Sequence, residues 1–332
     1  MRPAVVLLTL IASAALTCAA CTQAAFADVT ETVNAHILPS YAAFATATQS
    51  LADTAAVDCS ADALRPAFNA AYDAWLGVEH LRFGPVMEDG QNLAILFWPD
   101  PKGSGAKAQR ALLLGDAAQL QTTTFAQQSV AARGLAGLER LLYPKTDLPA
   151  DPCALIRATA TDLAATAQRV DQAWIASYAQ TVLTAGQQGN TTYLHPSEAR
   201  QAMFTAIISG LAFDLDARLA RPLGSFDAPH PERAEAVASG RSLTNLRLSL
   251  RALRTMVTTL TPDAALTLAA FDRALHQADL LDDPVLAGVA DPQGRLKVEI
   301  LHQRIAALRD IAVTELGTAL KVGKGFNAAD GD

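Results

Sequence analysis

The chain has no excess of basic charge: 26 Lys and Arg face 33 Asp and Glu, a formal net charge of −7 over 332 residues. An acidic chain with no basic tail argues against nucleic acid and anionic membrane surfaces as partners, because both are recognised largely through cationic side chains. Long apolar runs are also missing after the N-terminus, where no stretch approaches the roughly 20 residues a membrane helix needs. Alternation of β-branched residues is scarce, which argues against a fold built on sheets. Cysteine is nearly absent, with four in all. The chain has no His-Glu-x-x-His, no Gly-x-Ser-x-Gly, no P-loop and no dinucleotide fingerprint. Each of those would place a zinc ligand pair, a nucleophile or a phosphate cradle at a defined spacing.

What is present begins with an export signal. Arg2 supplies a minimal positive region, Val5 to Leu16 the apolar segment, and Ala25-Phe26-Ala27 a small-residue cleavage site before Asp28. Residues 1–27 are therefore expected to be removed, and the protein to be periplasmic. Lipid attachment at Cys21 is the competing reading. It fits poorly, because the position three before that cysteine holds Cys18 rather than an aliphatic residue. Loss of residues 1–27 removes Arg2 and no acid, taking the net charge from −7 to −8. Cys59 and Cys153 then remain, and in an oxidising compartment an isolated pair reads most simply as one disulfide.

Ala, Leu, Gln and Arg dominate the remaining segments, so the fold class is all-α. Helices are expected from Asp28 to about Ala56 with a kink or break at Leu38-Pro39, and from Asp62 to about Phe83. Others are expected from Lys107 to Gln121, across Arg133–Tyr143, and from Cys153 to about Ala185. Gly186 to Pro196 is a candidate hinge, dividing the mature chain into halves at 28–190 and 191–332. Ser197 is expected to cap the next helix, and further helices follow from Arg241, from Ala264 to Asp279 and from Leu296 to about Lys321. At a constant offset Phe68 meets Phe204, Trp75 meets Leu211 and Arg82 meets Arg218, a faint internal repeat suggestive of two related helical bundles.

The least scaffold-like stretch is Arg133–Tyr143. Read at 100° per residue, Leu135, Leu138 and Leu142 form an apolar face, and Glu139 falls inside the same arc. A carboxylate turned into a core must be paired, protonated or bound to a cation; one at the rim bends toward water. Gly134 and Gly137 suggest a close approach by another helix or a ligand. In the second helix, Glu79 and Arg82 continue the stripe of Trp75 with charges, at a spacing that allows them to pair. Trp98 lies in an aromatic loop that either closes over a ligand or plugs a bundle end. Arg247, Arg251 and Arg254 form a strip that either pairs with nearby acids or clamps an anion. Glu315 is a further acid in an apolar stripe, Glu299-x-x-His302 faces away from one, and Asn327, Asp330 and Asp332 lie in an acidic tail.

Several segments, taken in order, resemble the imelysin family of exported bacterial proteins. They are Trp75-Leu-Gly-Val-Glu-His-Leu-Arg-Phe-Gly-Pro85, Phe97-Trp-Pro-Asp100, Gly134-Leu-Ala-Gly-Leu-Glu139 with Leu141, Leu142 and Tyr143, Arg241-Ser242, and Gly325–Asp332. The resemblance implies two four-helix-bundle-like halves with a candidate site between them, and a role around iron uptake or other periplasmic metal handling. The family's proposed site motif is Gly-x-His-x-x-Glu. Gly134 and Glu139 fit it, but Ala136 stands where the motif has its histidine. A catalytic metal site wants about three protein ligands and an open position, and this motif keeps one. The expectation is therefore a non-catalytic binding or accessory protein in periplasmic iron or metal acquisition. A metallopeptidase of the imelysin type and a structural envelope docking module are the alternatives. Glu139 is the expected ligand for an iron or other divalent ion. Glu79, Arg82, Trp98, Arg133, Gly134, Arg241 and Ser242 are expected around a metal ion or small ligand, with an envelope protein as a further partner.

Overall fold

The computed structural model describes residues 29–323. The expected export signal with Cys21 and the acidic tail with Asn327, Asp330 and Asp332 lie outside the described residues. Helix dominates throughout, and the β-pairing among the described residues is one isolated bridge between Ser225 and Ala228.

The helices are α1 (residues 29–57), α2 (Ala61–Leu76), α3 (Ser104–Leu114), α4 (Gly134–Leu142), α5 (residues 153–183), α6 (residues 196–223), α7 (Ser242–Leu260), α8 (Ala265–Asp279) and α9 (Pro292–Leu320). Helix α1 packs along α2 and α5, and α4 closes on α2 and α5. In the later part of the chain, α9 packs along α8 and α6, and α7 against both α6 and α8. The two groups meet where α7 touches α2 and the first turns of α1. One cluster of buried apolar side chains runs through both groups, from Val33 and Phe44 to Leu308 and Leu316. Cys59 and Cys153, at the starts of α2 and α5, form a disulfide with Cα atoms 5.4 Å apart.

Several boundaries depart from expectation for identifiable reasons. Pro39 does not break α1. A wider turn at Thr32–Ile37 precedes it, where the backbone rearranges around the hydrogen bond that proline cannot donate. Helix α2 ends at Leu76 rather than near Phe83, so Val78–Leu81 turn their side chains inward and Glu79 and His80 are buried. The internal repeat is not confirmed, because α2 stops where its proposed counterpart α6 runs on to Leu223. Ser197 is not the cap of α6: Pro196 opens the helix, and Glu198 Oε2 accepts from the backbone N–H of Leu194 and His195. Gly84–Gly90 forms a 3₁₀ turn and Gln91–Ile95 a short helix.

Candidate functional site

Helix α4 presents Leu135, Leu138 and Leu142 to the core, all fully buried. Glu139 is on that face but at its edge, half-buried. Its Oε1 accepts from the backbone N–H and the hydroxyl of Ser239, at 2.9 and 2.8 Å. Ser239 belongs to the segment between α6 and α7, so the bond ties the two helix groups together. Oε2 has no protein partner among the described residues. Burial pushes the Glu139 carboxyl above its ordinary pKa, against the two Ser239 bonds and the nearby Arg140. The close approach that Gly134 permits is by backbone and not by a ligand. At φ +62° its missing Cβ would lie 2.2 Å from the Ile95 carbonyl oxygen.

Glu139 lines a cleft of about 860 Å³ between the two groups. Helices α3 and α4 and the loops around them form one wall. Arg221 and residues 232–238 form the other. Trp98 stands at this cleft, edge-on to Phe213 and beneath the Arg221 guanidinium.

Behind the cleft, Glu79 leads to a charged cluster buried between the groups. It pairs with Arg218 Nη2 at 2.5 Å and not with Arg82. Arg218 also holds Asp214 at 2.7 Å and Glu235 at 2.8 Å, and all four side chains are buried. The wide turn Asp214–Leu219 carries two of the four. Helix α7 completes the arrangement: the Ser249 hydroxyl donates to Asp214 and the Asn245 amide to Glu235. Three carboxylates on one guanidinium leave an excess of buried negative charge. Burial pushes the Asp214 carboxyl up to about 7 in spite of Arg218, which relieves that excess.

The remaining expected residues are spread around this centre. Arg241 is buried, faces Tyr72, and donates to Asn69 and Asp73 of α2. Ser242 donates to the Glu235 backbone carbonyl. These two residues fix the segment that delivers Ser239 and Glu235. Arg133 forms a two-pronged buried pair with Asp162 of α5 at 2.8 and 3.0 Å, and does not line the cleft. Arg82 is exposed, with its guanidinium over the Phe213 ring. Arg247 and Arg254 pair with Asp279 and Asp272 of α8. Glu315 accepts from the N–H groups of Leu266 and Thr267, capping the start of α8. Among the described residues no group of three or more His, Cys, Asp and Glu side chains is placed to hold a metal ion.

The family model described as Imelysin (Peptidase_M75) matches residues 37–312. The chain belongs to the imelysin family. Two solved structures share its fold. An imelysin-like protein from Psychrobacter arcticum 273-4 aligns with a TM-score of 0.74 at 20% identity, covering 90% of this chain and 96% of its own. An iron-regulated protein A precursor from Parabacteroides distasonis ATCC 8503 aligns with a TM-score of 0.60 at 13% identity, covering 87% and 94%. No curated protein matches the chain.

Within this imelysin chain, Ala136 is buried on α4 and is absent from the cleft lining, whereas Glu139 reaches it. Sequence reasoning missed Asp214, Arg218, Glu235 and Ser239. Two of them carried the same signal that singled out Glu79. Asp214 lies seven residues past Ile207 and Arg218 seven past Leu211, so both put a charge on the apolar stripe of α6. Glu235 and Ser239 sit in a loop, where no periodicity marks an inward side chain.

Proposed function

We propose that this imelysin-family chain is an exported, non-catalytic binding protein serving iron or other metal acquisition in the periplasm, with the cleft between the helix groups as its ligand site. The observation that carries the reading is Glu139. It is fixed by Ser239 from the opposite group and keeps a second oxygen free at a cleft of about 860 Å³. That size is in the range of small-molecule sites. A carboxylate held by one oxygen is oriented without being consumed, so the other can meet a bound metal or a hydrogen-bond donor of a ligand. The Arg218 cluster serves as the rigid support behind this wall, since every one of its acids is bound to Arg218. The name of the iron-regulated neighbour agrees with a metal-related role.

Isothermal titration of the purified protein with ferrous, ferric, zinc and copper ions, and with ferric citrate, tests the proposal. Binding of at least one of them, altered by Glu139→Gln, is expected. No binding of any, or binding indifferent to Glu139→Gln, rejects it.

A further inference from the structure

Buried arginines in this protein have carboxylates beside them. Arg133 has Asp162, Arg218 has three acids, Arg241 has Asp73 and Arg295 has Glu299. Two half-buried guanidinium groups at the cleft have no direct carboxylate partner among the described residues. Arg140 donates from Nε to the Gln109 side chain at 2.9 Å and from Nη2 to the Ala131 carbonyl at 2.6 Å, with Asp100 and Glu139 close enough to favour its charge but not bonded to it. Arg221 lies with its guanidinium 6.0 Å from the centre of the Trp98 ring, and its buried Nε has no hydrogen-bond partner among the described residues. At the rim, Lys145 also lacks an ion pair among the described residues.

Three of the four acids lining the same cleft are engaged, and the fourth, Asp147, is exposed at the rim. Both oxygens of Asp100 accept backbone N–H groups, from Ser104 and Gly105. Glu232 is beside His230 and Arg233. Glu139 has one oxygen on Ser239 and is pushed by burial toward its neutral form. The cleft thus offers guanidinium groups without direct carboxylate partners on both walls, in a protein whose net charge is −7.

We propose that the cleft binds a small organic polycarboxylate, with Arg221 and Arg140 meeting carboxylates from opposite walls and Trp98 packing on the carbon skeleton. A guanidinium fork matches a planar carboxylate, and the pairing strengthens where water is partly excluded. Positive groups divided between two walls suit separate carboxylates better than the single centre of a phosphate ion. The proposal rests on the cleft being the ligand site, and it narrows the occupant. A metal cargo would arrive inside an anionic chelate, its coordination filled by the ligand's own oxygens.

The test is isothermal titration with citrate, ferric citrate, inorganic phosphate and zinc ion, using wild type, Arg221→Met and Lys145→Gln, with thermal melting of each. Saturable binding of citrate or ferric citrate is expected, weakened about tenfold or more by Arg221→Met and about threefold by Lys145→Gln. A preference between the two citrate forms identifies the free or the metal-loaded acid as the ligand. Should Arg221→Met fail to fold, the Lys145→Gln loss decides. Binding of zinc with neither citrate form overturns this inference and leaves the binding function standing; binding of none of the probes overturns this inference, and removes the binding function as well when ferrous, ferric and copper ions also fail to bind. Phosphate bound as tightly as citrate, or citrate affinity unchanged in the variants, also overturns it.

Discussion

Arg218 donates from Nη2 to Glu79 Oε2 at 2.5 Å, joining residues 139 positions apart across the contact between the two helix groups. The same guanidinium holds Asp214 and Glu235, so one side chain pairs with acids from three separate segments. Removing it strands those acids in a dry interior. Arg218→Met should cost about 3–5 kcal/mol in urea unfolding. Adding Glu79→Gln, Asp214→Asn and Glu235→Gln should recover most of the loss, because the penalty is unpaired charge and not missing volume.

Asp214 makes stability depend on pH in a defined direction. Its carboxyl titrates at about 7 when folded, against 3.8 for the ordinary group. The folded state binds the extra proton, so this contribution is full below about pH 4 and is lost as pH rises toward 7. His36, which stacks on His80 with the two Nε2 atoms 3.1 Å apart, works the other way. Burial lowers it from 6.5 to about 4, so its neutral form is fully favoured above 6.5 and stability falls as pH drops toward 4. Asp214→Asn should therefore steepen the gain in unfolding free energy between pH 4 and 6.5. His36→Asn should flatten or reverse it. Urea titrations at four pH values measure both slopes.

The Cys59–Cys153 bridge spans 94 residues of sequence. Closing a loop of that length restricts the unfolded chain by about 4.7 kcal/mol in the entropy treatment. Cys59→Ser with Cys153→Ser should lower the melting temperature clearly, and thiol reduction of the wild type should reproduce the shift. Equal melting of the reduced and oxidised forms would contradict the bridge's role.

Ser239 gives Glu139 two hydrogen bonds. Glu139→Gln retains an acceptor and should change stability by less than about 1 kcal/mol. Glu139→Leu orphans the Ser239 N–H and hydroxyl and should cost about 1–3 kcal/mol. Chemical unfolding of the pair separates the carboxylate's anchoring from any ligand contact.

The helices were legible because their signal is local. The apolar spacing of Leu135, Leu138 and Leu142 and the scarcity of β-branched alternation need only neighbouring residues to be read. Glu139 and Glu79 stood out for the same reason, as charges where periodicity demands apolar groups. Their partners did not. Ser239 lies 100 residues beyond Glu139 and Arg218 lies 139 beyond Glu79, and nothing local to either acid points to the other. The pairing assigned to Glu79 and Arg82 illustrates the limit. Spacing on a helix allows it, yet the helix stops at Leu76 and the long-range guanidinium prevails. Ion pairing of Arg247 and Arg254 likewise depended on where α8 lands.

Tryptophan fluorescence tests the central claim, that the cleft between the helix groups is the ligand site, most directly. Of the three tryptophans, Trp75 and Trp174 are buried in the core and Trp98 lines the cleft. Titration with ferric citrate and with citrate should give a saturable change that disappears in Trp98→Phe and shifts to higher concentration in Arg221→Met. No saturable change with either probe, or one that persists unaltered in both variants, would contradict the account.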